Sequence, residues 1–290
     1  MHFRKHLKKV SFILMILLFL GACVTNESDR GNRSRDNNHI NNNGNGSISI
    51  AIRENIVSID PHNTSTVSAR SVQNAMYERL FALGEDGELH PLLAIDYEQN
   101  EDATEYTFKL REDVMFHDGS TFNAKVVKVN FDRILNSEGS LSSYRQVEDV
   151  ETVEIIDDYT VKFILKEPNN QFLAKVDDIR IASAKAIEDN IDLSQEAVGT
   201  GPFIMKEWNR GDSFVMTANE DYWESSYPKF DELVFKPVPE DGSRVSMLKA
   251  GDIDLAYPFP EKDIKSIEES SELEVIIDDS TIVRYATSNT

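Results

Sequence analysis

The sequence predicts an α/β fold of mixed α+β type, built on a mixed β-sheet. Short segments that alternate apolar and polar residues recur from Ile48 to about Ile277. Two segments between them, from Ser65 and from Asn123, carry apolar residues at helical spacing instead. Strands and helices interleave without the regular spacing of repeated βαβ units, which argues against a purely parallel sheet.

The elements follow in order. Ile48, Ile50 and Ile52 alternate with Ser47, Ser49, Ala51 and Arg53, a half-buried strand. "SIDPHNTST" turns the chain, with Pro61 fixing the corner. From Ser65, the residues Ala69, Val72, Met76 and Leu80 share one helical face through Phe81. "GEDGELHP" connects to a strand with Tyr106, Phe108 and Leu110 on one side, and Asp118-Gly119 marks a turn. Asn123 can cap a helix that carries Val127, Phe131, Ile134 and Leu135. Val153–Ile156 and Thr160–Leu165 flank Asp157-Asp158 as a hairpin. After the glycine-rich bend "AVGTGPF" come strands around Phe203–Trp208, Phe214–Ala218 and Val234–Val238. A short helix over Ser243–Leu248 stops near Gly251, and Asp254–Tyr257 and Leu273–Ile277 read as further strands.

The N-terminus has a different character. Arg4, Lys5, Lys8 and Lys9 precede an apolar run from Val10 to Leu20, eleven residues long and short of the roughly 20 that a spanning helix needs. A basic head, a short greasy run and small residues before a cut describe an export signal over residues 1–22. Leu20-Gly21-Ala22-Cys23 resembles the lipobox of bacterial lipoproteins, in which the cysteine sulfur receives a diacylglycerol. Cys23 is the chain's single cysteine, so no internal disulfide competes for its thiol. Residues 23–46 are rich in Asn, Ser, Gly and charge and read as a disordered tether. The expectation is a folded part held by a lipid anchor on the outer face of a bacterial membrane.

The formal charge is -21. Loss of residues 1–22 removes four of the 30 cations and none of the 51 acids, leaving -25. So acidic a chain is a poor ligand for nucleic acid, whose affinity depends on neutralised phosphates.

Five ordered segments carry a resemblance. "SIDPH" with "MYERLF", "YTFKLREDVMFHDGSTFNAKVVKVNFDRIL", "VGTGPF", "NEDYW" and "MLKAGDIDLAYPFP" stand where the extracellular solute-binding proteins of peptide and nickel ABC importers place their signature elements. The sequence departs at Lys125-Val126, where that family commonly has Asp before Val. The resemblance implies a periplasmic-binding-protein-like first lobe over 47–280, with 281–290 as the start of a crossover and the second lobe largely missing. "KPVPEDGSRVSMLKAGDIDLAYPFP" and "IVRYATSNT" are similar to members that bind short peptides or glutathione; the nickel branch shares the scaffold. It implies a monomeric, cofactor-free binding lipoprotein that hands its ligand to importer permease subunits. A truncated, non-functional fragment is the other reading.

A site for short peptides must replace the water around an ammonium and carboxylates. Arg180 is a candidate carboxylate partner, or else forms a surface ion pair with Asp177 or Asp178. Glu54 and Asn55, in the bend after the first strand, are ligand contacts by resemblance or an ordinary polar turn. Arg284 and Tyr285 fall where the chain would enter the second lobe, near the cleft mouth, although Tyr285 also suits core packing. Trp208 and Trp223 read as packing residues. His62, His90 and His117 lack metal-site spacing, and His117 reads as a turn residue. No serine lies in a nucleophile-elbow motif and "GTGPF" lacks the Lys-Ser/Thr of a phosphate loop, so no enzyme and no metal site are expected.

Overall fold

The computed structural model describes residues 46–63, 66–84 and 88–276. Cys23, the signal and nearly all of the tether, the crossover segment, Arg284 and Tyr285 lie outside the described residues.

Two sheets carry the chain. The larger has five strands in the order β11-β1-β10-β9-β8. They are β1 (Ser47–Ile52), β8 (Phe203–Asn209), β9 (Ser213–Ala218), β10 (Glu232–Pro237) and β11 (Leu255–Tyr257). β1 runs parallel to both β10 and β11, whereas β9 is antiparallel to β10 and β8, so this sheet is mixed as expected. The second sheet is wholly antiparallel, with β4 (Ala94–Gln99), β5 (Glu105–Leu110), β7 (Thr160–Leu165) and β6 (Val150–Asp157) in that order. A two-stranded ribbon of β2 (Phe81–Leu83) and β3 (Leu89–Pro91) links them.

Each sheet has one main helix. On the antiparallel sheet lies α2 (Ala124–Leu135), whose N-terminus is capped by Asn123 Oδ1 accepting from Val126 N at 3.2 Å. Val127, Phe131 and Ile134 are fully buried, and Phe131 meets Phe163 of β7 edge to face at 4.6 Å. On the mixed sheet lies α1 (Val67–Met76), capped by the Thr66 hydroxyl, with Val72 and Met76 buried among Ile52, Phe214, Met216 and Phe235. Short helices α3 (Tyr144–Val147), α4 (Phe172–Val176) and α5 (Ala184–Glu188) fill the loops. α6 (Asp241–Ala250) follows β10 and ends at Gly251, whose φ of 74° suits a residue without Cβ. A 3₁₀ turn, Glu261–Asp263, leads into α7 (Ile264–Glu268).

Three expectations shift. The first helix ends at Met76 rather than Phe81: Tyr77 is extended, Gly201 N takes the Met76 carbonyl at 2.9 Å, and Leu80 and Phe81 cross into the other core. β4 was not anticipated, because as an edge strand it buries only Ala94 and shows no alternation. Residues 273–276 form no strand and have no ladder partner.

Candidate functional site

Most of the signature residues are joints. Asp60, His62 and Arg133 form a closed polar network beneath the first turn. Arg133 donates to both Asp60 oxygens, at 3.0 and 2.7 Å, and to His62 Nδ1 at 2.6 Å. His62 Nε2 faces the Arg180 carbonyl at 3.0 Å and must donate there, which fixes a neutral tautomer with Nδ1 as acceptor. Burial, and then the Arg133 charge, pull the His62 pKa down to about 4.

The second joint holds the two sheets together. Gly199 and Gly201 lie against the backbone of Met76, where a Cβ would have no room. His117 donates from Nε2 to the Gly201 carbonyl at 3.0 Å, and its backbone N–H reaches Gly199 O at 2.9 Å. Asn219 Nδ2 adds a bond to the same Gly201 carbonyl at 3.0 Å. Glu78 takes bonds from Tyr222 Oη at 2.9 Å and Trp223 Nε1 at 3.0 and 3.1 Å, while Arg111 stacks 3.9 Å above the Trp223 ring. Burial pushes the Glu78 carboxyl up to about 7, against those bonds and the Arg111 charge. Trp223 therefore packs as expected, and His117 does more than turn the chain. These motifs report the fold rather than a ligand.

The open chemistry lies elsewhere, along α1. A cavity of about 120 Å³ is lined by Pro61, Arg70, Ser142, Ser143, Gln146, Asp178 and Arg180. Arg180 is 2% exposed, and of the two expected partners it is Asp178, itself partly exposed, that pairs with it at 3.1 Å. Asp177 instead pairs with Arg79 at 3.3 Å. Arg180 Nε and Nη2 both reach Asn74 Oδ1, at 3.1 and 2.6 Å. Burial, together with the nearby Arg79 and Arg70 charges, brings the Arg180 pKa down to about 10 against the pull of Asp178. Arg70 reaches the other Asp178 oxygen at 3.0 Å.

Glu54 and Asn55 stand at the N-terminal end of the same helix. They follow β1 where the parallel strands β1, β10 and β11 present their carboxyl ends, the edge at which open α/β sheets bind ligands. Both are exposed, as are Val57 and Tyr257 on that edge. The Glu54 carboxylate accepts from Ser68 Oγ at 2.5 Å and from Ser68 N at 3.4 Å, adding an anion to the helix N-terminus. Ser68 and Asn74 are six residues apart, roughly 9 Å along the axis. One helix thus serves both candidate regions. Sequence reasoning missed Arg70, Ser143 and Gln146. Arg70 differs in no local way from any polar-face residue of an amphipathic helix, and the other two belong to the short helix α3, Ser143 as its N-cap, which only the fold brings to it.

Among the described residues there is no group of three or more His, Cys, Asp or Glu able to hold a metal ion, and no helix is long and apolar enough to cross a membrane.

Comparisons with known proteins fit this architecture. The family model for bacterial extracellular solute-binding proteins, family 5 Middle, matches residues 88–290. A glutathione-binding protein, GsiB of Pectobacterium atrosepticum, is 33% identical over 243 residues, covering 83% of this chain and 47% of its own. Among solved structures, AgaA of A. tumefaciens R10 in complex with agropinic acid is 30% identical with a TM-score of 0.73, covering 78% of this chain and 46% of its own. NikZ of Campylobacter jejuni in complex with Ni(L-His) is 27% identical with a TM-score of 0.71, covering 78% and 45%. The chain spans about half the length of the curated relatives it matches. By fold and by sequence, the chain belongs to the bacterial extracellular solute-binding proteins of family 5.

Proposed function

We propose that this chain captures short peptides or glutathione outside the membrane for an ABC importer, held there by a lipid on Cys23. The observation that carries the reading is the polar cavity beside α1, where the guanidiniums of Arg70 and Arg180 share the Asp178 carboxylate. That combination suits a small zwitterion: fixed positive charge for a carboxylate, and Glu54 with Asn55 near the edge for an ammonium. The relation to GsiB, a glutathione-binding protein, supports the same ligand class. Arg284 and Tyr285 would complete the mouth of the site.

The test is calorimetry of the whole chain with glutathione, a dipeptide and a nickel–histidine complex. The described cavity reaches one end group of such a ligand, so glutathione or dipeptide binding near 1 mM, about -4 kcal/mol, is expected. Heat from the nickel complex alone would transfer the reading to the metal-complex branch of the family. Silence with all three would sink it.

A further inference from the structure

Within that reading of the pocket, we propose that Arg70, rather than Arg180, receives the ligand's carboxylate, and that Arg180 is a fixed positive wall that positions Asp178. The assignment follows from how the two guanidiniums are occupied. Arg180 Nε and Nη2 are spent on Asn74 Oδ1, and its Nη1 on the Asp178 carbonyl at 3.2 Å and Oδ1 at 3.1 Å. All three of its nitrogens are engaged and its side chain is 2% exposed. A bidentate approach to Arg180 would have to expel Asn74 or Asp178. Arg70 is different: its side chain is 48% exposed and its guanidinium touches Asp178 through Nη1 alone. Its remaining edge can take a carboxylate in a two-bond fork.

Charge counting supports the assignment. Asp178 is the one carboxylate within ion-pair distance of either guanidinium among the described residues. The neighbouring Arg79 is matched by Asp177, and Arg133 by Asp60. The pocket wall therefore holds two cations against one anion, a surplus that one ligand carboxylate cancels. At about 120 Å³ the cavity is well below the roughly 300 Å³ at which pockets enclose whole drug-sized ligands, so it takes an end group. A peptide would enter carboxylate first.

The experiment compares Ala-Ala with Ala-Ala-amide on the whole chain by NMR titration, alongside potassium acetate against potassium chloride as a bare-carboxylate probe. The expected result is that wild type prefers the free acid about tenfold or more, the size of a charge-assisted bond. Acetate should shift the Arg70 Nε resonance, and Arg70→Gln should reduce the preference to about one with an unchanged melting temperature. Should Arg70→Gln fail to fold, Arg70→Lys, which keeps the charge but loses the fork, should give an intermediate preference. A preference that survives in Arg70→Gln, or equal binding of acid and amide by wild type, overturns the assignment while leaving peptide capture intact. If acetate shifts Arg70 but neither peptide binds, peptide capture fails and the carboxylate assignment stands. If acetate leaves Arg70 unmoved, the assignment falls.

Discussion

Arg133 of α2 holds Asp60 by both oxygens, Nη1 to Oδ1 at 3.0 Å and Nη2 to Oδ2 at 2.7 Å, across 73 residues of sequence. The pair is mostly buried and also supplies the donor for His62, so removing one partner strands the other. Arg133→Met should cost about 3–5 kcal/mol in urea unfolding. Removing the exposed Lys185–Asp189 pair, at 2.9 Å, should leave the unfolding midpoint essentially where it is. Equal losses would show that the Arg133 network carries no special weight.

The pH dependence of stability should reveal two opposed groups. The folded pKa of His62 lies near 4, below its ordinary 6.5, so its contribution is whole above pH 6.5 and lost as the pH falls toward 4. His117, also lowered by burial, acts in the same direction. Glu78 is raised from 4.5 to about 7, so the folded chain takes up its proton first and gains stability as the pH falls from 7 to 4.5. Asp60 and Asp118, both lowered below 3.8, lose their contributions only in stronger acid. Glu78→Gln should therefore steepen the acid loss between pH 7 and 4.5 by about 3 kcal/mol, and His62→Gln should flatten or reverse it. Parallel urea profiles for all three proteins would refute this balance.

The glycines of "VGTGPF" should be intolerant for a steric reason. A Cβ at Gly199 would stand 2.0 Å from Met76 O, and one at Gly201 2.6 Å from Met76 C. Both neighbours are backbone and cannot swing aside. Gly199→Ala or Gly201→Ala should lose about 3 kcal/mol or more in thermal unfolding. Gly242→Ala, in α6 with nothing within 4 Å, should gain about 0.5 kcal/mol. Similar melting temperatures for the two classes would contradict the close approach.

The membrane anchor can be tested in cells. Cys23→Ser should leave an uncleaved precursor or release the protein into the medium, because serine cannot form the thioether. A variant that stays membrane-bound with the mass of the wild type would exclude lipidation at that residue.

Much of the fold was legible because local chemistry and tertiary structure agree. Asn123 announced the start of α2, and the alternation of Tyr106, Phe108 and Leu110 announced β5, since those residues face one core. The end of α1 was not legible. Leu80 continues the helical face of Met76, and only the distant Gly201, by taking the Met76 carbonyl, stops the helix there. The same holds for the candidate pocket. Arg180 drew attention because its fork can engage a carboxylate, with Asp177 and Asp178 as the alternative partners. Its commitment to Asn74 depends on how α1 crosses the chain 106 residues later. Motifs such as Gly199-Thr200-Gly201 were conspicuous because close packing tolerates few residues, whereas a solvent-facing arginine leaves no comparable mark.

The position of β1 has a consequence for the order of assembly. It lies between β10 and β11, and Ser47 meets Glu232 across a separation of 185 residues, whereas the antiparallel sheet closes entirely within residues 94–165. A chain made N-terminus first at roughly 5–20 residues per second exposes β1 for about 10–40 s before its first neighbour exists. The helix-backed antiparallel sheet draws all its strands from residues 94–165 and can form in that interval, while β1 keeps two bare hydrogen-bonding edges. β1, first of the described strands in the sequence, is thus among the last to lock, since its place in the sheet exists only once β10 and β11 have been made.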